Sequence, residues 1–145
     1  MSQDLQKKVY PNMSPKILLI DSYEIFLNGT VKILRSYYPN AKIYAATTVE
    51  SALHQIAIIK PQLVIADICV AQNVGEATQI NNGIELLKEL LTNNPQTNIL
   101  VQSTYINTLV RIKSLIDNHS SGFVVPDKSL SSQSILFTVS WALLG

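Results

Sequence analysis

The amino-acid sequence predicts an α/β fold, a doubly wound five-stranded parallel sheet with helices on both of its faces. Five short apolar runs of strand length alternate with segments that carry apolar residues at helical spacing. The runs are apolar at consecutive positions and not at every second one. This pattern indicates strands buried on both faces and is typical of a parallel sheet covered by helices. Five such strands suit the spatial order 2-1-3-4-5.

The same two patterns set the limits of the predicted elements. Strands are predicted over residues 16–20, 41–46, 62–67, 98–103 and 122–125. Helices are predicted over 23–37, between Thr47 and Pro61, from Gly83 to about Asn93, over 106–118, and after a cap at Ser131 or Ser132. The run Thr47-Thr-Val-Glu50 resembles a capping box, so Thr47 is expected to cap the second helix. With this order of elements, the fold is expected to be flavodoxin-like.

A long polar loop is predicted between the third strand and the third helix, from Cys69 to Asn82. Surface insertions of this length cost little stability, so it can be a tolerated insertion. Long loops beside a site are often functional, so a lid or a docking loop is the alternative. The sequence leaves both open.

Composition indicates one domain. Residues 1–14 are polar and broken by proline, which predicts a flexible arm before a domain over 15–145. The net charge is +1 and the basic residues are scattered, which argues against direct binding of nucleic acid. A single cysteine, no apolar run of membrane length and no secretory signal predict a cytoplasmic domain that does not enter a membrane.

Two carboxylates mark the predicted functional edge of the sheet. Asp21 and Asp67 end the first and third strands, which are neighbours in this order, and ligands of such sheets bind at the carboxyl ends of the strands. Each can be a simple turn residue. Together they would repel unless a proton or a cation such as Mg²⁺ lay between them. The loop after the first strand begins Asp21-Ser-Tyr-Glu24, and its acids would repel a phosphate group. No glycine-rich phosphate motif occurs either, so nucleotide and flavin binding are not expected.

Four segments resemble the receiver domains of bacterial response regulators, the CheY-like domains of two-component and phosphorelay signalling. They are Lys16-Ile-Leu-Leu-Ile-Asp21, Pro61-Gln-Leu-Val-Ile-Ala-Asp-Ile68, Leu100-Val-Gln-Ser-Thr104 and Ser121-Gly-Phe-Val-Val125. The resemblance spans about residues 16–144 and implies a signalling module that is not itself an enzyme.

The resemblance also implies a role for each site residue. Asp67 would be the phosphoacceptor, Ser103 the switch hydroxyl and Phe123 the switch aromatic. Mg²⁺ would be held by Asp21, Asp67 and the backbone carbonyl of Cys69. The phosphoryl donor would be a sensor histidine kinase or a phosphotransfer protein. The face formed by the fourth helix, fifth strand and fifth helix would contact a downstream protein or a second copy.

The sequence departs from the receiver pattern at two positions that assist phosphorylation. Ser22 stands where receivers carry a second acid, and Pro126 stands where they carry a lysine. Lys128 is a candidate surrogate lysine, although a solvated surface lysine is the simpler interpretation. We therefore expect weak or absent Mg²⁺ binding and atypical phosphorylation. The alternative is a pseudo-receiver that binds proteins without phosphorylation. A small flavodoxin-fold enzyme is least expected, because no nucleophile–base pair is present.

Overall fold

The computed structural model describes residues 14–126 of the 145-residue chain. Its strands are β1 (Lys16–Ile20), β2 (Lys42–Ala46), β3 (Leu63–Ala66), β4 (Val70–Ala71), β5 (Thr78–Gln79), β6 (Asn98–Val101) and β7 (Phe123–Val124). Its helices are α1 (Glu24–Tyr37), α2 (Val49–Ile59), α3 (Ile80–Asn93) and α4 (Lys113–Asp117), with a 3₁₀ helix over Ile106–Ile112. The predicted arm, Lys128 and the predicted last helix lie outside the described residues.

The main sheet has the predicted parallel topology. Its strand order is β2-β1-β3-β6-β7, and every neighbouring pair is parallel. Because β6 and β7 are the predicted fourth and fifth strands, this is the predicted order 2-1-3-4-5. All four residues of β3 are buried, as are four of the five in β1. The continuous apolar runs therefore lie in the middle of the sheet, where both faces are covered.

The core is divided by the sheet into two clusters. Alternate residues of β1 point to opposite faces, as the strand period requires. Leu18 and Ile20 join the cluster that α2 and α3 cover. Ile17 and Leu19 join the cluster that α1 covers through Leu34. Each central strand thus contributes apolar side chains to both clusters.

The start of α2 differs from the predicted capping box. Its N-cap is Thr48, whose Oγ1 accepts a hydrogen bond from the Ser51 backbone N–H at 3.1 Å. The prediction that Thr47 caps this helix is therefore wrong by one residue. Thr47 instead offers its carbonyl to the hydroxyl of Ser22, at 2.9 Å. Two adjacent threonines suit a cap equally well in sequence, so only tertiary contacts separate them.

The predicted helix over 106–118 is split into a 3₁₀ helix and the short α4. The hydroxyl of Thr108 donates to the Tyr105 carbonyl at 2.6 Å, a local bond that competes with helical bonding. The 3₁₀ segment Ile106–Ile112 is also rich in β-branched residues, which are weak α-helix formers. These two features explain why the first half of the predicted helix is a 3₁₀ helix, which is wound more tightly than an α-helix.

The predicted polar loop from Cys69 to Asn82 is instead largely structured. β4 and β5 form a short antiparallel hairpin, and α3 begins at Ile80, three residues before the predicted start at Gly83. The turn contains Gly75 with φ of 83°, a conformation that favours glycine. The side-chain amide of Asn82 donates to the Val70 carbonyl at 3.0 Å and ties the hairpin to α3.

Within residues 14–126, no helix combines the length and the apolar character needed to cross a bilayer.

Candidate functional site

Three polar residues lie side by side at the carboxyl ends of β1, β3 and β6. The backbone N–H of Asp67 donates to the Ile20 carbonyl at 2.9 Å, and the N–H of Gln102 donates to the Ala66 carbonyl at 2.9 Å. These bonds continue the parallel ladders one residue past the strands. Asp21 follows Ile20 directly, so Asp21, Asp67 and Gln102 stand at the same level of three neighbouring chain segments.

The same three residues line a small cavity on the α1 face of the sheet. Phe26, Leu27 and Thr30 of α1 form its opposite wall, and it has room for about one water molecule. The wall is mostly apolar, so a charge in this cavity is poorly solvated and interacts strongly with its neighbours. A polar ligand there would be small, on the scale of an ion.

Asp21 is a buried acid at this edge, with 7% of its surface exposed. Its Oδ1 accepts a hydrogen bond from the Tyr23 backbone N–H at 2.9 Å. This bond orders the turn that leads into α1, which is the turn role that the sequence also allowed for Asp21. The carboxylate is therefore held in place by its own loop.

Asp67 is half-buried and has two differently placed carboxylate oxygens. Oδ1 accepts from the backbone N–H groups of Ile68 at 2.7 Å and of Cys69 at 3.4 Å. Within residues 14–126, no hydrogen bond to Oδ2 is formed. One oxygen therefore orients the carboxylate, and the second is left for other chemistry.

Gln102 is the residue of this edge that sequence reasoning missed. Gln102 is buried, with 8% of the residue's surface exposed, and no group within the described residues donates to its Oε1. A buried amide oxygen without a partner costs free energy, so such a group in a cavity points to an absent ligand. A polar residue that ends the apolar run of a strand, level with Asp67, was the available signal.

Ser22 stands at the position where receivers carry a second acid, and its hydroxyl bonds to two other segments of the chain. Its Oγ donates to the Thr47 carbonyl at 2.9 Å and accepts from the Ala71 backbone N–H at 3.0 Å. A carboxylate could accept from Ala71 but could not donate to Thr47. The hydroxyl therefore serves the hairpin that this chain has inserted, and it is engaged on both sides.

Of the residues predicted as a switch, Ser103 lies in the turn after β6 and Phe123 lies on β7. Ser103 is 3% exposed, and its Oγ accepts from the Tyr105 backbone N–H at 3.1 Å, which orders the turn after β6. Phe123 is half-buried on β7 and packs against the cluster beneath α3. The fourth strand was predicted to run to Ser103 but ends at Val101, whereas Phe123 lies on the fifth strand as predicted. Their roles as a switch stay a prediction.

Gly83 was also missed as a site residue. A Cβ built at Gly83 would lie 1.7 Å from the carbonyl oxygen of Ile68, the residue after Asp67. The backbone of α3 thus passes directly against the loop that carries the acid. A glycine inside a helical pattern signals such a close approach.

The donor set restricts which metal ions could bind. Residues 14–126 contain no group of three or more His, Cys, Asp or Glu side chains able to hold a metal ion. Two carboxylates and neutral oxygens suit a hard cation such as Mg²⁺, which keeps several waters. The residues present therefore fit Mg²⁺ with fewer charged ligands than receivers normally offer.

Comparison with solved structures agrees with the topology. The signal receiver domain of an HD domain-containing protein from Pseudomonas fluorescens Pf-5 superposes with a TM-score of 0.71 at 21% identity, covering 90% of this chain and 95% of that one. A CheY-like receiver domain protein from Methanospirillum hungatei JF-1 gives 0.68 at 17% identity, covering 90% and 94%. This chain has the receiver-domain fold.

Sequence comparisons show a weaker similarity than the structural comparisons do. No family model matches the chain. The DNA-binding transcriptional activator DevR/DosR of Mycobacterium tuberculosis is 24% identical over 112 residues, which is 77% of this chain and 48% of that protein. The chain thus spans about half the length of the curated relative that it matches.

Measured against the receiver pattern, this chain is altered at one side of its site. The lysine position carries Pro126, which is buried. The second acid position carries Ser22, whose hydroxyl is engaged by two backbone groups. Asp21 and Asp67 remain, with Gln102 beside them.

Proposed function

We propose that this receiver domain is a phosphorylation switch of two-component signalling, with Asp67 as the phosphoacceptor. The carrying observation is the geometry of its carboxylate. Backbone N–H groups hold Oδ1, while Oδ2 lies at a half-buried strand end with no hydrogen bond from the described residues. An oriented carboxylate with one available oxygen is suited to nucleophilic attack.

The proposed step transfers a phosphoryl group from a phosphohistidine to Asp67. An oxygen of Asp67 attacks the phosphorus, an O–P bond forms, and the N–P bond breaks. The imidazole leaves with the electron pair and takes a proton from solvent. The product is an acyl phosphate on Asp67. Asp21, held beside it by its loop, shapes the negative field of the site.

Mg²⁺ is the cofactor that this chemistry requires. Asp21, Asp67 and the backbone carbonyl of Cys69 are the proposed ligands. Bound there, the ion supplies positive charge against the phosphoryl oxygens. Its binding is expected to be weak, because Ser22 is engaged in hydrogen bonds and contributes no carboxylate.

The proposed response of the fold begins at Ser103. Its hydroxyl would leave the Tyr105 N–H, which it now accepts from, and turn toward the acyl phosphate. Phe123 would follow and change the outer face formed by the fourth helix, fifth strand and fifth helix. A downstream protein or a second copy would bind this face.

The proposed partner on the input side is a sensor histidine kinase or a phosphotransfer protein. Both present a phosphohistidine in the cytoplasm, so this is where the domain would act. The described part of the chain carries scattered charges, so we do not propose that this domain binds nucleic acid itself.

The phosphoacceptor assignment is tested with the full chain, acetyl phosphate and Mg²⁺. We expect a mass increase of one phosphoryl group that is acid-stable and hydroxylamine-sensitive. Asp67→Asn should lose it. The control is Asp117→Asn, which removes an exposed aspartate paired with Lys113 on α4. No mass increase in the wild type, or an increase that Asp67→Asn retains, would overturn the proposal.

The second candidate is a phosphorylation-independent pseudo-receiver. Two observations favour it: Pro126 occupies the lysine position, and Ser22 is a structural tie instead of a metal ligand. A folded chain that neither takes up phosphoryl from acetyl phosphate nor from a phosphorylated histidine kinase would support this candidate over the first.

A further inference from the structure

Gln102 lines the same cavity as Asp21 and Asp67, and its side-chain amide carries an unsatisfied polar atom. Its Oε1 is buried and receives no hydrogen bond from the described residues. Its backbone is fixed by the bond from its N–H to Ala66, so the side chain starts level with Asp67. The cavity is too small for an organic ligand, and four oxygen-bearing side chains line it: Asp21, Asp67, Gln102 and Thr30.

The chemistry of this donor set favours a cation. Two carboxylates on adjacent strands repel each other, and a cation between them relieves that repulsion. An amide oxygen is a neutral ligand for hard divalent ions. Ser22 cannot serve in its place, because its hydroxyl oxygen already bridges Thr47 and Ala71.

We propose that the side-chain carbonyl oxygen of Gln102 is a ligand of a divalent cation held with Asp21 and Asp67, replacing the acid that Ser22 does not supply. This assignment deepens the proposed function, since it concerns the same site. It depends on cation binding alone and holds whether or not Asp67 accepts a phosphoryl group.

The binding experiment titrates Mg²⁺ and Mn²⁺ into the full chain by calorimetry. Gln102→Leu keeps the volume and removes the oxygen, and it should weaken both cations about tenfold or more, as loss of a group near a metal typically does. Gln102→Glu adds a negative charge beside the cation and should tighten binding about tenfold. The control is Gln96→Leu, an exposed glutamine before the opposite end of β6, which should bind as the wild type does.

A thermal scan without metal separates ligation from a structural role. Gln102→Leu removes an unsatisfied buried oxygen, so its midpoint without metal should equal or exceed that of the wild type. The stabilisation by saturating Mg²⁺ should be smaller than in the wild type. A lower midpoint without metal, together with an unchanged Mg²⁺ response, would mean that Gln102 only supports the fold and would overturn the assignment.

The other possible results of these experiments also support or overturn the assignment of Gln102 as a ligand. A wild type that binds neither cation, or a Gln102→Leu chain that binds both as tightly as the wild type, overturns the proposal. Cation binding that depends on Gln102, without phosphoryl uptake from acetyl phosphate, supports the ligand assignment and overturns only the phosphoacceptor role. Phosphoryl uptake altered by Gln102→Leu at unchanged cation affinity would place the amide on the phosphoryl group and contradict the assignment.

Discussion

At Gly83 the absence of a side chain allows α3 to lie against the loop that carries Asp67. The nearest atom to a Cβ at this position would be the Ile68 carbonyl oxygen at 1.7 Å, followed by two further backbone atoms of Ile68. A backbone clash is not relieved by a change of rotamer. The helix or the loop would have to move, and Ile68 also donates its N–H to Asp67.

We expect Gly83→Ala to destabilise the domain by at least about 2 kcal/mol, because overpacking outweighs the gain in helix propensity. The matched control is Gly29→Ala on the exposed face of α1, where nothing lies within 4 Å of the new Cβ. That change should stabilise by about 0.5–1 kcal/mol. Urea unfolding of both variants measures the difference. A Gly83→Ala domain as stable as the control would contradict the close approach.

Ser22 also shows, at the scale of a residue, how one side chain can change use. In a receiver the same position serves the metal, whereas here the hydroxyl satisfies one carbonyl and one N–H of two other loops. Gln102 lies one residue past β6, where the apolar run of that strand ends, and it lines the cavity beside the two acids. Ser22 follows β1 and Gln102 follows β6, so both residues lie outside the strands of the sheet.

At the scale of elements, the β4–β5 hairpin is the main departure from a short loop between strand and helix. The hairpin contacts the start of α2 twice. Ala71 of β4 forms a bridge with Thr48, and the Glu50 N–H donates to the carbonyl of Gln72, the residue after β4, at 3.1 Å. Ser22 adds the third attachment, and Asn82 the link to α3. The hairpin is thus attached at its base, while Val74 at its tip is 88% exposed.

We expect Ser22→Ala to lower the free energy of unfolding by about 1–3 kcal/mol, since it leaves a half-buried carbonyl and N–H without their partner. Hydrogen exchange should also become faster at the Ala71 amide. Ser114→Ala, an exposed serine on α4, is the control and should change stability by no more than about 0.5 kcal/mol. Equal effects in the two variants would mean that the Ser22 bridge does not hold the hairpin.

At the scale of the whole molecule, one sheet joins two core clusters. Leu34 of α1 and Leu87 of α3 are both fully buried, but they lie on opposite faces. Both clusters include side chains of the same central strands. A cavity in either cluster should therefore lower the stability of the whole domain, which unfolds as one cooperative unit.

We expect Leu34→Ala and Leu87→Ala each to cost about 2–5 kcal/mol, the usual range for a buried leucine. The double variant should be additive within about 0.5 kcal/mol, because the sheet separates the two sites. Ile58→Ala on α2 is the control, since Ile58 is 68% exposed, and it should change stability by about 0.5 kcal/mol or less. Calorimetry that resolves two transitions in any of these variants would contradict a single unit.

The parallel sheet was predictable, because burial on both faces leaves an unmistakable run of apolar residues such as Leu63–Ala66. The N-cap of α2 could not be predicted, because Thr47 and Thr48 have the same chemistry and only the contact with Ser22 separates them. The β4–β5 hairpin could not be predicted either, because each of its strands has two residues, too few to show a hydrophobic period.

The sequence by itself determined the fold class, the strand order and the positions of Asp21, Asp67 and Ser103 just after the apolar strands. The strand positions follow from local patterns, since hydrophobic periodicity depends only on neighbours along the chain. The strand order follows from the alternation of five such strands with helices. Only the tertiary structure decided that Ser22 bridges two loops, that Gly83 faces Ile68 and that Gln102 shares a cavity with the two acids. Those relations join residues far apart in sequence, and their physical basis is contact in three dimensions.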